Sequence, residues 1–355
     1  MRAGDTRAGT VGGMKAAILR HGAIEVDDIG ELPVLPGHVL LETIACGICG
    51  TDLHTRRYAH DFVEAAKITG FSLFDFDPDA DVVLGHEFSG RIVEVGAGVA
   101  GLRADTPVVA HPVARRAGRV VALGYSNDLP GAFAQRLLVH ADGVLPIPGG
   151  VDPKLAALTE PVAVGLHAVD RSASARHGSA VVLGCGPVGL AVIAALRLRG
   201  VPLIVASDFS PARRAHALTL GAHIVVDPSA AEPVSEWRAA GGRGPTTIFD
   251  AVGMPGMIEQ AIIAAPSRSE ILVVGLCMRP DTFRPAIAIN KELQFTFVLG
   301  WTAAEFSASL EAIAEGTIDA GALITGEVGL DGVARAFDEL ANPDHHIKVL
   351  VVPNR

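Results

Sequence analysis

The sequence predicts an α/β protein of two domains, a small β-barrel or sandwich and a doubly wound parallel sheet. The chain has 355 residues, more than the roughly 250 to 300 at which a single hydrophobic core stops growing. Residues 14–150 form short runs rich in Val, Ile and Leu between turn residues, which is typical of small barrels. From about residue 155, strand-like runs alternate with segments of helix length, as in a parallel sheet with helical crossovers.

Each predicted strand is an apolar run bounded by Gly, Pro or a charge. The runs of the first half are residues 15–19, 38–45, 90–95, 106–113 and 119–124. Those of the parallel sheet are residues 180–183, 203–207, 223–226, 247–250 and 271–275. After these come a strand-like run at 295–299, helix-like segments at 305–316 and 331–340, and a last strand at 347–352.

Composition and charge exclude several classes of protein. The net charge of −10 gives neither nucleic acid nor an anionic membrane surface a broad electrostatic reason to bind. With 49% hydrophobic residues, the chain is too apolar to be disordered in spite of its 40 glycines. We therefore expect a globular protein with a small-molecule partner, without nucleic acid or membrane.

The cysteines and the first residues suggest a cytoplasmic protein. Four cysteines are too few and too scattered for a disulfide framework. Residues 1–13 lack the apolar core of a signal peptide, and we expect a flexible extension there. Residues 178–196 carry no charge over a membrane-span length, but glycines and Pro187 interrupt them.

A glycine-rich turn after the strand 180–183 predicts a dinucleotide site. Gly184, Gly186 and Gly189 fit the pattern G-x-G-x-x-G, with Pro187 and Val188 between the last two. The three glycines allow a tight turn, close approach of a pyrophosphate and close packing of helix on strand. The helix N-terminus that follows favours a phosphate.

Asp208 indicates which dinucleotide this is. It ends the next strand, 19 residues after Gly189, where a carboxylate accepts hydrogen bonds from an adenosine ribose and repels a 2′-phosphate. We therefore expect NAD rather than NADP. A glycine-rich turn without a nucleotide remains the alternative, and Cys185 is interpreted as a packing residue.

The barrel half of the sequence contains the ligand types of zinc, namely thiol, imidazole and carboxylate, at Cys46, Cys49, His86 and Glu87. Two or three such ligands plus water would make an open, catalytic site rather than a closed structural one. The pair Cys46-x-x-Cys49 could instead be a redox pair or part of a zinc knuckle. A knuckle needs a second cysteine pair, which the sequence does not contain.

Together these motifs resemble the zinc-dependent medium-chain dehydrogenase/reductase family, which includes the alcohol and polyol dehydrogenases. The resemblance runs from Met14 to Arg355 through the segments GICGTDLH, LGHE, TEP, GCGPVG and HIKV. It implies a GroES-like catalytic domain made of residues 1–153 and 297–355, with a Rossmann NAD-binding domain, residues 154–296, inserted between them. It also implies a homodimer or homotetramer.

The resemblance implies one catalytic zinc ion. Its ligands would be Cys49 and His86, with Glu87 or Glu160 completing the shell. Asp52 would accept a hydrogen bond from His86 and fix its tautomer.

Further roles follow from the same resemblance. Thr51 and His54 would relay the proton of the alcohol. Cys46 would be an unligated neighbour, although it remains an alternative ligand. Arg213 would lie near the adenosine ribose and Lys348 near the pyrophosphate, although each could equally be an ordinary solvated charge.

Three segments depart from the family pattern. No cysteine lies between residues 86 and 131, so we expect no structural zinc. Arg268 and Ser269 stand where the family commonly has two glycines, which suggests a differently shaped turn. The connection between His54 and His86 is long and resembles an insertion, residues 55–83, beside the site.

The insertion bears on the substrate. Its apolar side chains could line a pocket for a bulky hydrophobic alcohol, or could simply pack the insertion onto the barrel. They are Phe71, Leu73, Phe74 and Phe76.

The expected function is therefore NAD-dependent interconversion of a bulky, hydrophobic primary or secondary alcohol with its carbonyl. A polyol or amino-alcohol dehydrogenase is the alternative within the family. A zinc-free quinone or enoyl reductase would not need Cys49, His86 and Glu87 together. A non-catalytic NAD-binding sensor is the alternative of another class.

Overall fold

The computed structural model describes residues 13–70, 74, 76–116, 118–173, 175 and 178–355. All but the last residue of the predicted N-terminal extension lies outside this part, as do Phe71 and Leu73 of the insertion. Within it, no helix is both long enough and apolar enough to cross a membrane.

The first part of the chain forms an antiparallel barrel. Its strands are β1 (Met14–Arg20), β2 (Ala23–Ile29), β3 (His38–Gly47), β4 (Glu87–Val95), β5 (Pro107–Ala110), β6 (Val113–Arg116), β7 (Arg119–Ala122), β8 (Arg136–His140) and β9 (Val144–Pro146). β3 is central, because it pairs antiparallel with both β4 and β8. β1 with β2, and β6 with β7, form separate hairpins.

Three helices belong to this part and to the connection that follows. They are α1 (Gly50–Thr69), α2 (Pro153–Ala156) and α3 (Thr159–Arg171). α1 runs through the first half of the insertion, where sequence patterning predicted no element. It ends at Gly70, which has the left-handed φ of 69° that favours glycine after a helix.

The middle of the chain forms a six-stranded sheet whose strand pairs are all parallel. Its elements are β10 (Ser179–Leu183), α4 (Pro187–Leu198), β11 (Leu203–Ser207), α5 (Pro211–Thr219), β12 (Ile224–Val226), α6 (Pro233–Ala239), β13 (Thr247–Asp250), α7 (Met257–Ala264), β14 (Glu270–Val273), α8 (Pro285–Asn290) and β15 (Gln294–Phe297). The strand order is β12-β11-β10-β13-β14-β15. Helices cover both faces, which is why the central strands are continuous apolar runs.

The chain then returns to the barrel. Its last elements are α9 (Ala303–Ala314), β16 (Ile324–Val328), α10 (Val333–Leu340) and β17 (Lys348–Val351). β17 lies between β16 and β3, with Leu350 opposite Gly47 and Val351 opposite Cys46. The predicted fold class, a GroES-like barrel with a Rossmann-type parallel sheet, is confirmed, while the domain limits at 153/154 and 296/297 stay a prediction.

The turn before β14 holds a non-glycine residue in a conformation that glycine favours. Arg268 has a φ of 63°, and its backbone N–H donates to the carbonyl of Lys291 at 2.6 Å. The left-handed conformation costs a residue with a Cβ roughly 1 to 2 kcal/mol. The turn therefore has a backbone conformation that glycine favours, and Arg268 in it lowers the stability of the folded protein.

We expect Arg268→Gly to raise the free energy of unfolding by up to about 1 kcal/mol, because relief of strain exceeds the added chain entropy. Urea denaturation measures this. Arg103→Gly, at an exposed position without positive φ, is the matched control and should lower stability. Equal losses in both variants would contradict the prediction.

Candidate active site

A thiol, an imidazole and a carboxylate converge at one end of the barrel. The ligand atoms of Cys49, His86 and Glu87 all lie within 4.8 Å of one another. Cys49 directly precedes α1, and His86 directly precedes β4, whose first residue is Glu87. Gly47 at the end of β3 pairs with both Glu87 and Leu350. Strands β4 and β17 therefore meet β3 at the site.

The orientation of His86 shows which nitrogen faces the cluster. The Thr51 hydroxyl donates to Cys49 Sγ at 2.9 Å and lies 3.5 Å from His86 Nε2. His86 Nδ1 lies 3.4 Å from Asp52 Oδ1, which is longer than an ordinary hydrogen bond. Asp52 is fully buried, and its other carboxylate oxygen accepts the Cys49 backbone N–H at 2.9 Å. Nε2 is thus the nitrogen available to a metal.

The donor set and its electrostatics fit a bound cation. Burial, reinforced by the charge of Glu87, raises the pKa of Cys49. Burial by itself would lower the pKa of His86. The electrostatic influence of Tyr125, Asp52 and Cys49 outweighs burial and raises this pKa well above its usual value. Without a cation, both ligands therefore retain protons. A divalent metal replaces such protons, and thiolate, imidazole and carboxylate are zinc ligands.

Lys348 lies beside Glu87 in the interior of the barrel. Its ammonium contacts both carboxylate oxygens of Glu87, at 2.7 and 2.6 Å, and donates to the Ile48 carbonyl at 3.0 Å. Both charged side chains are completely buried. The contact of Lys348 that the structure shows is thus with Glu87, and its assignment to the pyrophosphate stays a prediction. The pairing of β17 with β3 turns this side chain into the barrel, where Gly47 leaves room that a Cβ would fill by colliding with Glu87.

Glu160 and Cys46 lie at the edge of the cluster. Glu160 is in the first turn of α3, and burial raises its pKa to about 8. Glu160 is not among the residues whose ligand atoms lie within 4.8 Å of one another, but it interacts electrostatically with His86 and Glu87. Cys46 is fully buried, and its thiol donates to the backbone carbonyl of the next residue, Gly47, at 3.5 Å. Cys46 is also outside the group.

His54 follows Thr51 by one turn of α1. Its Nδ1 is buried and has no hydrogen-bond partner among the residues that the structure describes. Burial, with the charge of Arg57, lowers the pKa of His54. A neutral imidazole with a free nitrogen is a suitable proton acceptor, so the predicted relay role of Thr51 and His54 stays open to test.

The glycine-rich turn has the geometry of a phosphate site. Gly184 has a φ of 90°, and Gly186 immediately precedes α4, whose first residues are Pro187 and Val188. Gly189 packs so closely on the Gly184 carbonyl that a Cβ would collide with it. A Cβ at Gly186 would meet only Arg213 Nη1, at 3.8 Å, among the described residues, so the backbone at the start of α4 leaves space for a ligand.

Asp208 is held beside this turn. Its two carboxylate oxygens accept the backbone N–H groups of Cys185 and Ser210, each at 2.8 Å. Arg213 Nη1 lies 4.0 Å from the same carboxylate, and Arg213 Nε is buried without a partner in the described part of the chain. Cys185 itself is fully buried, as expected of a packing residue.

Two features of the site were not predicted from the sequence. One is the buried Glu87–Lys348 ion pair. The other is Tyr125, whose hydroxyl lies 3.5 Å from His86 Nδ1. No motif surrounds Tyr125; its only signal is that it is one of two tyrosines in the chain.

Comparison with known proteins assigns the class. Residues 35–149 match the family model of the alcohol dehydrogenase GroES-like domain, and residues 187–315 match that of the zinc-binding dehydrogenases. (R,R)-butanediol dehydrogenase of Bacillus subtilis (strain 168) is 32% identical over 93% of this chain and 97% of its own length. Sorbitol dehydrogenase of the same strain is 26% identical over 96% of this chain and 98% of its own length.

Solved structures agree. The crystal structure of 2R,3R-butanediol dehydrogenase from Bacillus subtilis gives a TM-score of 0.83 at 32% identity, covering 96% of this chain and all of that one. A structure from Sinorhizobium meliloti 1021, described as a zinc-binding dehydrogenase and bound to NADP, gives a TM-score of 0.82 at 26% identity. It covers 97% of this chain and 100% of that one. The fold and site thus define a zinc-dependent oxidoreductase. The chain belongs to the medium-chain alcohol and polyol dehydrogenases.

The buried carboxyl of Glu160 makes stability depend on pH. Its pKa is about 8 in the folded protein and roughly 4.3 in the unfolded chain. The contribution of Glu160 to the free energy of unfolding is therefore fully present below about pH 4 and is lost as the pH rises through 8. In metal-free protein, we therefore expect Glu160→Gln to exceed wild type in stability at pH 8.5, by on the order of a few kcal/mol, and much less at pH 5.

Urea unfolding at both pH values measures this difference. Glu315→Gln, at an exposed position after α9, is the matched control and should follow wild type. A Glu160→Gln variant with the pH dependence of wild type would contradict the prediction.

Proposed function

We propose that this protein is an NAD-dependent zinc enzyme that interconverts a secondary alcohol of a small diol or polyol with its ketone. The observation that carries the proposal is the convergence of Cys49, His86 and Glu87 beside the Thr51 hydroxyl. This arrangement offers metal ligands and a proton acceptor at one point.

The choice of substrate rests on where the insertion places its aromatic side chains. Phe76 is buried, and Phe74 packs edge-on against Phe62 and Tyr125, with ring centroids 4.7 Å apart in both pairs. These two rings therefore pack the insertion onto the barrel and do not support a large apolar pocket. The relatives named butanediol dehydrogenase and sorbitol dehydrogenase support a small polar alcohol as the substrate.

Cys49 and His86 would hold the zinc ion, with Glu87 or Glu160 completing the shell. Zinc, when bound, acts as a Lewis acid that makes an alcohol hydroxyl more acidic. The Thr51 hydroxyl, next to Cys49, would accept that proton and pass its own hydrogen on toward neutral His54, one turn along α1, which would hold it afterwards. Asp52 keeps the Nδ1 side of His86 in place.

The turn from Gly184 to Gly189 would bind the pyrophosphate of NAD at the start of α4. NAD, when bound, accepts the hydride of the alcohol. The carboxylate of Asp208 beside this turn disfavours a 2′-phosphate, which supports NAD. Because the Sinorhizobium relative binds NADP, the choice of cofactor belongs in the test.

The first test is zinc analysis of the purified protein together with reduction of NAD and NADP over a panel of alcohols. We expect about one zinc per chain and the fastest reduction of NAD with 2,3-butanediol or sorbitol. Bulky apolar alcohols such as 1-phenylethanol should be slower. Cys49→Ala should lose both zinc and activity, whereas Cys277→Ala, outside the cluster, should retain both.

Each other result points to one alternative. Loss of zinc in Cys46→Ala but not in Cys49→Ala would move the ligand to Cys46. A preference for 1-phenylethanol would restore the bulky hydrophobic substrate. Bound zinc without turnover of any alcohol would indicate a non-catalytic NAD-binding sensor.

We also propose that the protein forms a homodimer or homotetramer through the edge of the parallel sheet. β15 is the last strand of that sheet, and an unpaired strand edge is a template for pairing with another chain. Phe297 and Leu299, at and just after its end, are 69% and 66% exposed. Apolar side chains at an open strand edge favour association.

Phe297→Lys places a charge on this surface and should lower the molar mass in solution toward that of the monomer, as measured by light scattering. Ile68→Lys, at an exposed apolar position on α1, is the control and should leave the mass unchanged. A mass unaffected by Phe297→Lys would contradict association through this edge.

A further inference from the structure

The Nδ1 atom of His86 has two neighbours that could orient the imidazole. Asp52 Oδ1 lies at 3.4 Å and the Tyr125 hydroxyl at 3.5 Å. Since Nε2 faces Cys49 and Thr51, a metal on Nε2 leaves the proton on Nδ1. A buried N–H of this kind needs an acceptor, and an acceptor fixes both the tautomer and the ring orientation.

Three phenylalanines hold the Tyr125 ring. Phe62 of α1 stacks on it at 5.8 Å with an interplanar angle of 2°. Phe74 meets it edge-on at 4.7 Å, and Phe76 lies 6.4 Å away at 45°. All three come from the insertion, residues 55–83. Such packing leaves the ring little freedom to rotate.

The backbone before Tyr125 is also locked to the segment that leads to His86. Gly124 has a φ of 88°, and a Cβ there would lie 3.2 to 3.4 Å from the backbone of Gly85. The ring of Tyr125 then lies 5.4 Å from that of His86, measured between centroids. The position of one ring therefore constrains the other.

We propose that Tyr125 is a positioning residue, which orients the imidazole of His86 for the metal and is itself held in place by the aromatic insertion. This inference rests on the proposed zinc site. It gives the insertion a role in metal binding, through Phe62, Phe74 and Phe76.

The state of the Tyr125 hydroxyl is consistent with this role. The side chain that carries it is buried, with only 5% of the residue exposed. The hydroxyl oxygen lies 3.5 Å from His86 Nδ1, about as far as Asp52 Oδ1, so both oxygens face the same N–H and the hydroxyl still has its own hydrogen to donate. Asp52 Oδ1, which has no hydrogen-bond partner in the described part of the chain, supplies the negative charge on the same side of the ring.

Tyr125→Phe tests the proposal, because it keeps the ring and its packing but removes the hydroxyl. The readouts are zinc affinity, from competition with a chelator, and the visible absorption spectrum of the Co²⁺-substituted protein. We expect zinc affinity to fall about tenfold or more and the Co²⁺ spectrum to shift, while the melting temperature of the metal-free protein stays unchanged. Tyr58→Phe, which alters the other tyrosine and loses a contact with Arg279, should change neither readout.

A second variant tests the role of the insertion. Phe76→Leu leaves every polar group at the site intact but loosens the packing around Tyr125. We expect it to lower zinc affinity in the same direction, and to add little when combined with Tyr125→Phe.

The outcomes separate the two proposals. Wild-type protein that binds no zinc would overturn both. Wild-type zinc affinity and an unchanged Co²⁺ spectrum in Tyr125→Phe would overturn the positioning role alone. A loss of affinity matched by an equal destabilisation of the metal-free protein would also overturn it, because the hydroxyl would then act only on the fold.

Discussion

The buried ion pair between Glu87 and Lys348 is the interaction on which the barrel and its site depend. It joins residues 261 positions apart, and neither side chain is exposed to solvent. A buried pair of this kind is tolerated only when each charge has its partner, and removal of either leaves the other uncompensated. The pair links the start of β4 to β17. The position of a candidate zinc ligand therefore depends on the strand that returns after the parallel sheet.

Much of the fold could be predicted from the sequence, because local patterns determine it. The strands β10 and β11 contain the continuous apolar runs AVVL and LIVA, and such runs indicate a parallel sheet covered on both faces. Gly184, with its positive φ, and Gly189, where a Cβ would collide with the Gly184 carbonyl, meet steric requirements that appear directly as a spacing. Patterning did not find α1, where Thr51, Asp52 and His54 were interpreted only as motif residues. Gly70 at its C-terminal end was the signal for a helix end.

The remaining features of the site could not be found in this way, because they depend on tertiary pairing. Whether Lys348 points into the barrel or toward a cofactor is decided by the pairing of β17 with β3, and a shift by one residue would reverse it. Tyr125 reaches His86 because two glycine-containing backbone segments, at Gly85 and Gly124, pack together. Neither contact follows from a spacing in the sequence.

The return of the chain to the barrel also sets the order in which the protein can be assembled. β17 must enter between β16 and β3, and Lys348 contacts the carbonyl of Ile48, 300 positions earlier. Every strand of the parallel sheet precedes β17 in the chain, so that sheet can form while the ribosome is still adding residues, whereas the pairing of β17 with β3 must wait until β17 has been made. A nascent chain can thus hold a nucleotide fold before its metal ligands are in place. Metal loading then belongs to the final stage of folding.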